Sequence, residues 1–129
     1  MLQIELKRKL SGKVQVINMF EGLFGTKKYK TISGQEVKSM LDANEKFLLF
    51  DVRSPEEYAG GHIEHSISLP LQVITASVGK YARSKDARIV VYCQSGARSA
   101  RAAGVLADTG YTGVSNLGGI MSWNYGTVR

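Results

Sequence analysis

Apolar runs separated by helically spaced stretches set the rhythm of this chain. Ile89-Val90-Val91-Tyr92 is continuous and rich in β-branched types, the pattern of a strand buried on both faces of a parallel sheet. Phe47-Leu48-Leu49-Phe50 is a second such run. The pattern predicts strands over 29–32, 47–51, 66–69, 88–93 and 113–117, separated by helices near 33–43, 55–60, 71–83 and 97–109. Two helix starts carry capping boxes. Ser33-Gly34-Gln35-Glu36 precedes Val37, Met40 and Leu41, and Ser54-Pro55-Glu56-Glu57 adds proline at the first helical position. Gly110 suits the end of the last helix. Strand and helix in alternation mean an α/β domain with a parallel sheet.

Composition agrees with one domain. The 129 residues are 43% hydrophobic, enough for a single core, and no apolar stretch is long enough to span a membrane. There is no internal repeat and no low-complexity segment. The formal charge of +6 is uneven: residues 1–30 carry seven basic and two acidic side chains, the remainder ten and nine. The chain thus divides into a basic extension, 1–28, and a nearly neutral domain, 29–129. In the extension Leu2, Leu6, Leu10, Val14, Ile17, Met19, Phe20 and Phe24 approximate a helical stripe interrupted by Gly12. Such a segment offers a surface to anionic membranes, acidic protein partners or a second copy of itself, or packs on its own domain, the last two being the favoured readings. Nucleic-acid binding is not expected, because the bulk of the chain is not basic.

The candidate chemistry lies at Cys93, the only cysteine, which ends the 89–92 run and opens Cys93-Gln94-Ser95-Gly96-Ala97-Arg98-Ser99. A good helix-forming segment follows from Ala100 to Ala107, broken only by Gly104. The order is strand, tight loop, helix, and in open α/β sheets ligands bind beyond the carboxyl ends of the strands. A helix N-terminus and inward-facing amides lower a thiol pKa, so Cys93 is expected to ionise readily. Gly96 permits positive φ, and Arg98 offers a forked guanidinium to an oxyanion. By itself, a cysteine at a strand end is an inert small hydrophobe; the glycine, arginine and helix around this one favour a nucleophile.

Several motifs in order resemble the rhodanese domain: Asp51-Val52-Arg53-Ser54-Pro55-Glu56-Glu57-Tyr58, Gly61-His62-Ile63, Cys93 to Ser99, and Asn116-Leu117-Gly118-Gly119-Ile120 with Trp123. The resemblance runs from about Tyr29 to the C-terminus. It implies a rhodanese-like fold, a five-stranded parallel β-sheet flanked by α-helices, and thiosulfate sulfurtransferase activity through a cysteine persulfide. Cys93 would be that cysteine. Gln94, Ser95, Gly96, Ala97, Arg98 and Ser99 would bind substrate, with Arg98 on the donor's sulfonate. The donor would be a small sulfur-containing anion and the acceptor an external thiol or cyanide, since the chain has no second cysteine to resolve its own persulfide. A persulfide carrier or docking module for a partner protein is the alternative function.

A cysteine phosphatase or arsenate reductase is a further alternative. Four residues separate Cys93 from Arg98, one fewer than in those loops, and Tyr92 stands where they usually carry histidine. The shorter loop suits one sulfur atom better than a phosphate.

The remaining candidates have more than one reading. Asp51 would lie at the same sheet edge as Cys93; with Arg53 it is read as fixing the turn before the second helix, a supporting role in catalysis being the alternative. Ser99 either bonds the sulfur or completes the helix start. Arg101, one turn beyond Arg98, either adds positive potential or lies on a solvated face. Gly118 and Gly119 suggest a turn where backbone passes close to the 93–99 loop, bringing Gly119 or Ile120 near substrate, with Trp123 and Tyr125 packing beside them. His62 is read as structural. His62, Glu64 and His65 are not read as metal ligands, and neither metal nor cofactor is expected. A usable thiolate needs reducing surroundings, and the N-terminal stretch lacks a signal-peptide core, so the expected location is cytoplasmic.

Overall fold

A computed structural model describes residues 27–129. The apolar stripe expected between Leu2 and Phe24 lies outside the described residues. Five strands, β1 (Lys30–Thr31), β2 (Leu48–Asp51), β3 (Ile67–Ser68), β4 (Arg88–Cys93) and β5 (Gly113–Gly119), form one sheet. Its order is β1-β5-β4-β2-β3, with every pairing parallel. The helices are α1 (Gly34–Asp42), α2 (Pro55–Ala59), α3 (Ile74–Ser77) and α4 (Ala97–Asp108), with short 3-10 turns at Leu71–Val73, Val78–Lys80 and Ile120–Ser122.

The apolar run of β4 alternates between two cores. Ile89, Val91 and Cys93 pack with Phe50, Ala102, Ala103 and Leu106, under α4. Val90 and Tyr92 face the other way, toward Val37 of α1, Leu49 and Ile63. A strand pinned from both sides this way has a fixed register, since a slip of one residue would send every side chain to the wrong core. The thiol therefore belongs to the α4 side of the sheet.

Both predicted capping boxes form. Ser33 accepts from the Glu36 amide while the Glu36 carboxylate accepts from the Ser33 amide, and Ser54 and Glu57 repeat the exchange. The segment expected as one helix over 71–83 is instead a broken run of 3-10, one short α-turn and 3-10. Val73, Ile74, Thr75, Val78 and Gly79 are weak helix formers, and burial of Ile74, Val78 and Ala82 holds the run in place. At the other end of the sheet, β5 extends past the predicted residue 117. Between Val91 and Tyr92 the β4–β5 register shifts, so that Tyr92 pairs with Gly118 and Cys93 with Gly119. Gly118 has φ 98° at this irregularity, and its amide donates to the Asn116 side chain at 3.0 Å. The shift carries β5 far enough to lie alongside the cysteine.

Candidate active site

Cys93 closes the central strand, and the helix that follows has no side-chain cap. Gly96 stands at the N-cap position with φ 112°, a left-handed conformation that glycine adopts without strain. That turn aims the free amides of the helix start at the sulfur. The Gly96 N–H donates to Cys93 Sγ at 3.0 Å, and the amides of Arg98 and Ser99 also act on it. The sulfur takes the place of an N-cap side chain for α4.

Burial pushes the Cys93 thiol up, but hydrogen bonds from the Ser99 hydroxyl and from the amides of Ser99, Gly96 and Arg98 together hold it below the ordinary thiol value. Ser99 is fully buried, with Oγ 3.4 Å from Sγ. Its hydroxyl has two further acceptors, the Gly96 carbonyl at 3.1 Å and the Gly118 carbonyl at 3.4 Å. A thiol donates to Ser99 Oγ, whereas a thiolate can only accept, and the Ser99 proton is placed to serve it.

The guanidinium of Arg98 is turned elsewhere. It forms a bidentate pair with Glu57 of α2, Nη1 to Oε1 at 2.7 Å and Nη2 to Oε2 at 3.0 Å. Glu57 is held down to about 2, first by Arg98 and then by the Ser54 amide. So Arg98 supports the thiolate through its backbone amide while its charge is matched inside the chain. Sequence reasoning assigned Glu57 only to a capping box; nothing local signals its second partner, 41 residues away.

Arg53 is also matched. Nearly buried, it binds Asp51 through Nε and Nη2, the closest contact at 2.7 Å, and the Asp51 carboxylate accepts the Arg53 amide at 3.0 Å. Its remaining donors reach the Gly61 carbonyl at 2.7 Å and the Gln94 side-chain oxygen at 3.1 Å. One side chain thereby ties the turn after β2, the Gly61-His62-Ile63 segment and the Cys93 loop together. The side-chain oxygen of Gln94, one of the expected loop residues, is thus bonded to Arg53. Ser95 and Ala97 are exposed on the loop rim.

Gly119 lies against the loop. A Cβ there would stand 2.6 Å from the Gln94 carbonyl oxygen and 2.9 Å from Ser95 Cα, so only glycine fits without moving the loop. The Met121 amide donates to the same Gln94 carbonyl at 3.3 Å. Trp123 and Tyr125 pack edge to face with centroids 4.9 Å apart. Arg101 is exposed on α4.

Tyr92, the last apolar residue of the run that predicts a doubly buried strand, is an anchor between elements. Its hydroxyl accepts the Ile63 amide at 3.0 Å and meets Ser66 Oγ at 3.0 Å, and burial pushes its pKa up, so it stays neutral. His62 stacks on Tyr58, with centroids 3.7 Å apart, and its Nδ1 lies 2.8 Å from the Tyr58 carbonyl. His65 and Glu64 are exposed and 3.6 Å apart. Among the described residues no group of three or more His, Cys, Asp or Glu side chains is placed to hold a metal, and no helix is long and apolar enough to cross a membrane.

Two grooves among the described residues lie apart from the thiol. One of about 310 Å³ lies between Lys38, Asp42, His65 and Trp123, and one of about 350 Å³ beside Phe47, Tyr81 and Arg88. What surrounds Cys93 is a cradle of amides at a strand end.

The fold is a parallel α/β domain whose central strand delivers a cysteine to the start of a helix. The Rhodanese-like domain matches residues 33–125, and this chain belongs to that family. A sulfurtransferase of Allochromatium vinosum is 38% identical over 93 residues, 71% of this chain and 85% of that protein. The thiosulfate sulfurtransferase PspE of Escherichia coli is 36% identical over 70 residues, 54% of this chain and 67% of its own length. Among solved structures, a rhodanese-related protein from Thermoplasma volcanium superposes with a TM-score of 0.66 at 30% identity, covering 78% of this chain and 98% of that one. Sulfur transfer is the activity that the Allochromatium and Escherichia relatives carry in their names.

Proposed function

We propose that the protein is a sulfurtransferase that moves a sulfane sulfur from thiosulfate or a related small anion to an external thiol or cyanide, through a persulfide on Cys93. The observation that carries this reading is the Gly96 amide 3.0 Å from Cys93 Sγ, backed by the amides of Arg98 and Ser99. The Cys93 thiolate attacks the outer sulfur of the donor. A new S–S bond forms, the bond from that sulfur to the sulfonate breaks, and its electron pair leaves with sulfite. The outer sulfur of the persulfide then carries the negative charge, and the amide dipoles directed at Cys93 Sγ, one bond away, stabilise it electrostatically. The acceptor attacks this sulfur and takes it, which restores the Cys93 thiolate. With no second cysteine in the chain, the acceptor comes from outside.

A four-residue gap between Cys93 and Arg98 supports sulfur over phosphate as the group handled. The need for a reduced Cys93 supports a cytoplasmic setting. The basic extension, residues 1–28, is proposed to select a protein partner or a second copy.

Intact mass measurement after thiosulfate treatment tests the reading. One added sulfur atom on the wild type and none on Cys93→Ser is expected, and no addition to the wild type would overturn the thiosulfate assignment. Deleting residues 1–28 should weaken partner binding or self-association and leave loading by thiosulfate intact.

A further inference from the structure

Both arginines at the Cys93 loop are matched by carboxylates of the same chain, Arg53 by Asp51 and Arg98 by Glu57. The two pairs differ in accessibility. The Arg53 and Asp51 side chains are 5% and 0% exposed, whereas Arg98 and Glu57 are 38% and 33% exposed. The first pair is closed to an incoming ion, and the second can be opened from solvent. Arg98 belongs to the first turn of α4, and its charge and that of Cys93 act on each other, so an anion that opens the pair from solvent does so within electrostatic reach of the sulfur.

Charge decides what this means for a donor. The thiolate carries one negative charge, each ion pair sums to zero, and the cradle's own contribution is dipoles. Thiosulfate brings two further negative charges, while an alkanethiosulfonate, with the same outer sulfur on a sulfonyl group, brings one. Extra negative charge is repelled by the thiolate and by Glu57, and solvent at the third-exposed pair screens this repulsion only in part. The Arg98 guanidinium would answer it only by leaving Glu57, and the bidentate geometry at 2.7 and 3.0 Å opposes that exchange.

We propose that Glu57 sets the charge preference of the site: it holds Arg98 in an internal ion pair that a doubly charged sulfur donor must open and a singly charged donor need not. The proposal rests on the sulfur-transfer reading and assigns the donor class within it. With the thiosulfonate, Cys93 takes the outer sulfur, the bond from it to the sulfonyl sulfur breaks, and the electron pair leaves as a sulfinate. The persulfide formed is the same, so the two donors differ in charge and leaving group alone.

The test is the ratio of kcat/KM for thiosulfate to that for methanethiosulfonate in the full-length protein, at low salt. Glu57→Gln removes the charge and keeps a side-chain oxygen to accept the Ser54 amide, now at 3.0 Å from Oε1, so the helix start is retained. The ratio should rise about tenfold, the scale of one unit charge acting through partly screened surroundings. Arg98→Gln should lower it, and the Glu57→Gln/Arg98→Gln double variant, again neutral at this position, should return it toward the wild-type value. A ratio unmoved in Glu57→Gln, or equal loss of both donors in that variant, would overturn the proposal and leave Glu57 as a structural brace. Failure of every variant and the wild type to load from either donor would overturn the sulfur-transfer reading and this proposal with it.

Discussion

The Arg53 guanidinium and the Gln94 side-chain oxygen meet at 3.1 Å, joining the turn after β2 to the first residue of the Cys93 loop across 41 positions of sequence. Arg53 holds Asp51 with its other face, so the loop is braced by a buried ion pair that never touches the sulfur. The residues that shape the cradle and the residues that line it are largely different sets.

Removing Arg53 should therefore unsettle the protein more than any rim substitution. Arg53→Met leaves the Asp51 carboxylate, which is fully buried, without its cation. A loss of about 3–5 kcal/mol is expected, measured as a fall in the urea midpoint with unchanged slope. Persulfide formation should fall as well, since Gln94 loses its tether. An unchanged midpoint would mean that the pair is not holding the turn.

Cys93 should react as a thiolate below the usual range. The rate of carbamidomethylation by iodoacetamide against pH should have its midpoint under the roughly 8.5 of a free thiol. In Ser99→Ala the midpoint should move up, because a donor to the sulfur is gone while the burial that raises the pKa remains. A midpoint unaffected by that change would exclude Ser99 as a partner of the thiolate.

The Glu57–Arg98 pair has a defined pH window. Glu57 is depressed to about 2 in the folded chain, so its contribution is present in full above its unfolded value near 4.3 and is lost as the pH falls through that interval toward about 2. Since the pair is a third exposed, solvent screening limits the effect to about 1 kcal/mol. Urea unfolding at pH 5 and pH 3 should show a smaller acid-induced loss in Glu57→Gln than in the wild type.

Gly119→Ala places a methyl group where the Gln94 carbonyl and Ser95 Cα stand, at 2.6 and 2.9 Å. Backbone must shift, at about 1–3 kcal/mol, and the shift falls on the loop that aims the amides at Cys93. Loading from thiosulfate should drop about tenfold or more while the far-ultraviolet circular dichroism is retained, a factor of ten matching about 1.4 kcal/mol of lost stabilisation.

Tyr92→Phe removes a hydroxyl and leaves the buried Ile63 amide without its acceptor. The expected cost is about 1–3 kcal/mol. Thermal melting would reveal it, and retention of thiosulfate loading in the folded variant would separate this anchor from the chemistry.

Local signals in the sequence carried most of the fold. The run from Ile89 to Tyr92 named a doubly buried strand, Ser33 with Glu36 and Ser54 with Glu57 named two helix starts, and Gly96 marked a left-handed turn. These are effects of side-chain period, of a hydroxyl or carboxylate within one turn, and of a missing Cβ, all of which act over a few residues. The break in the 71–83 segment was the local signal read too generously, because weak helix formers were outweighed by an apolar spacing that suited packing.

The sequence by itself thus determined the α/β class, the strand that ends in Cys93 and the turn that directs amides toward it. Only the tertiary structure decided where the charges went. Arg98 to Glu57, Arg53 to Gln94 and Tyr92 to Ile63 are contacts across 29 to 41 positions, and each depends on α2, the turns beyond it and the Cys93 loop gathering at one edge of the sheet. A guanidinium has no periodicity to reveal its partner; the partner is whichever carboxylate or carbonyl the packed elements bring within reach. The arginine that reads along the chain as the site's free cation is, in the fold, held by its own carboxylate.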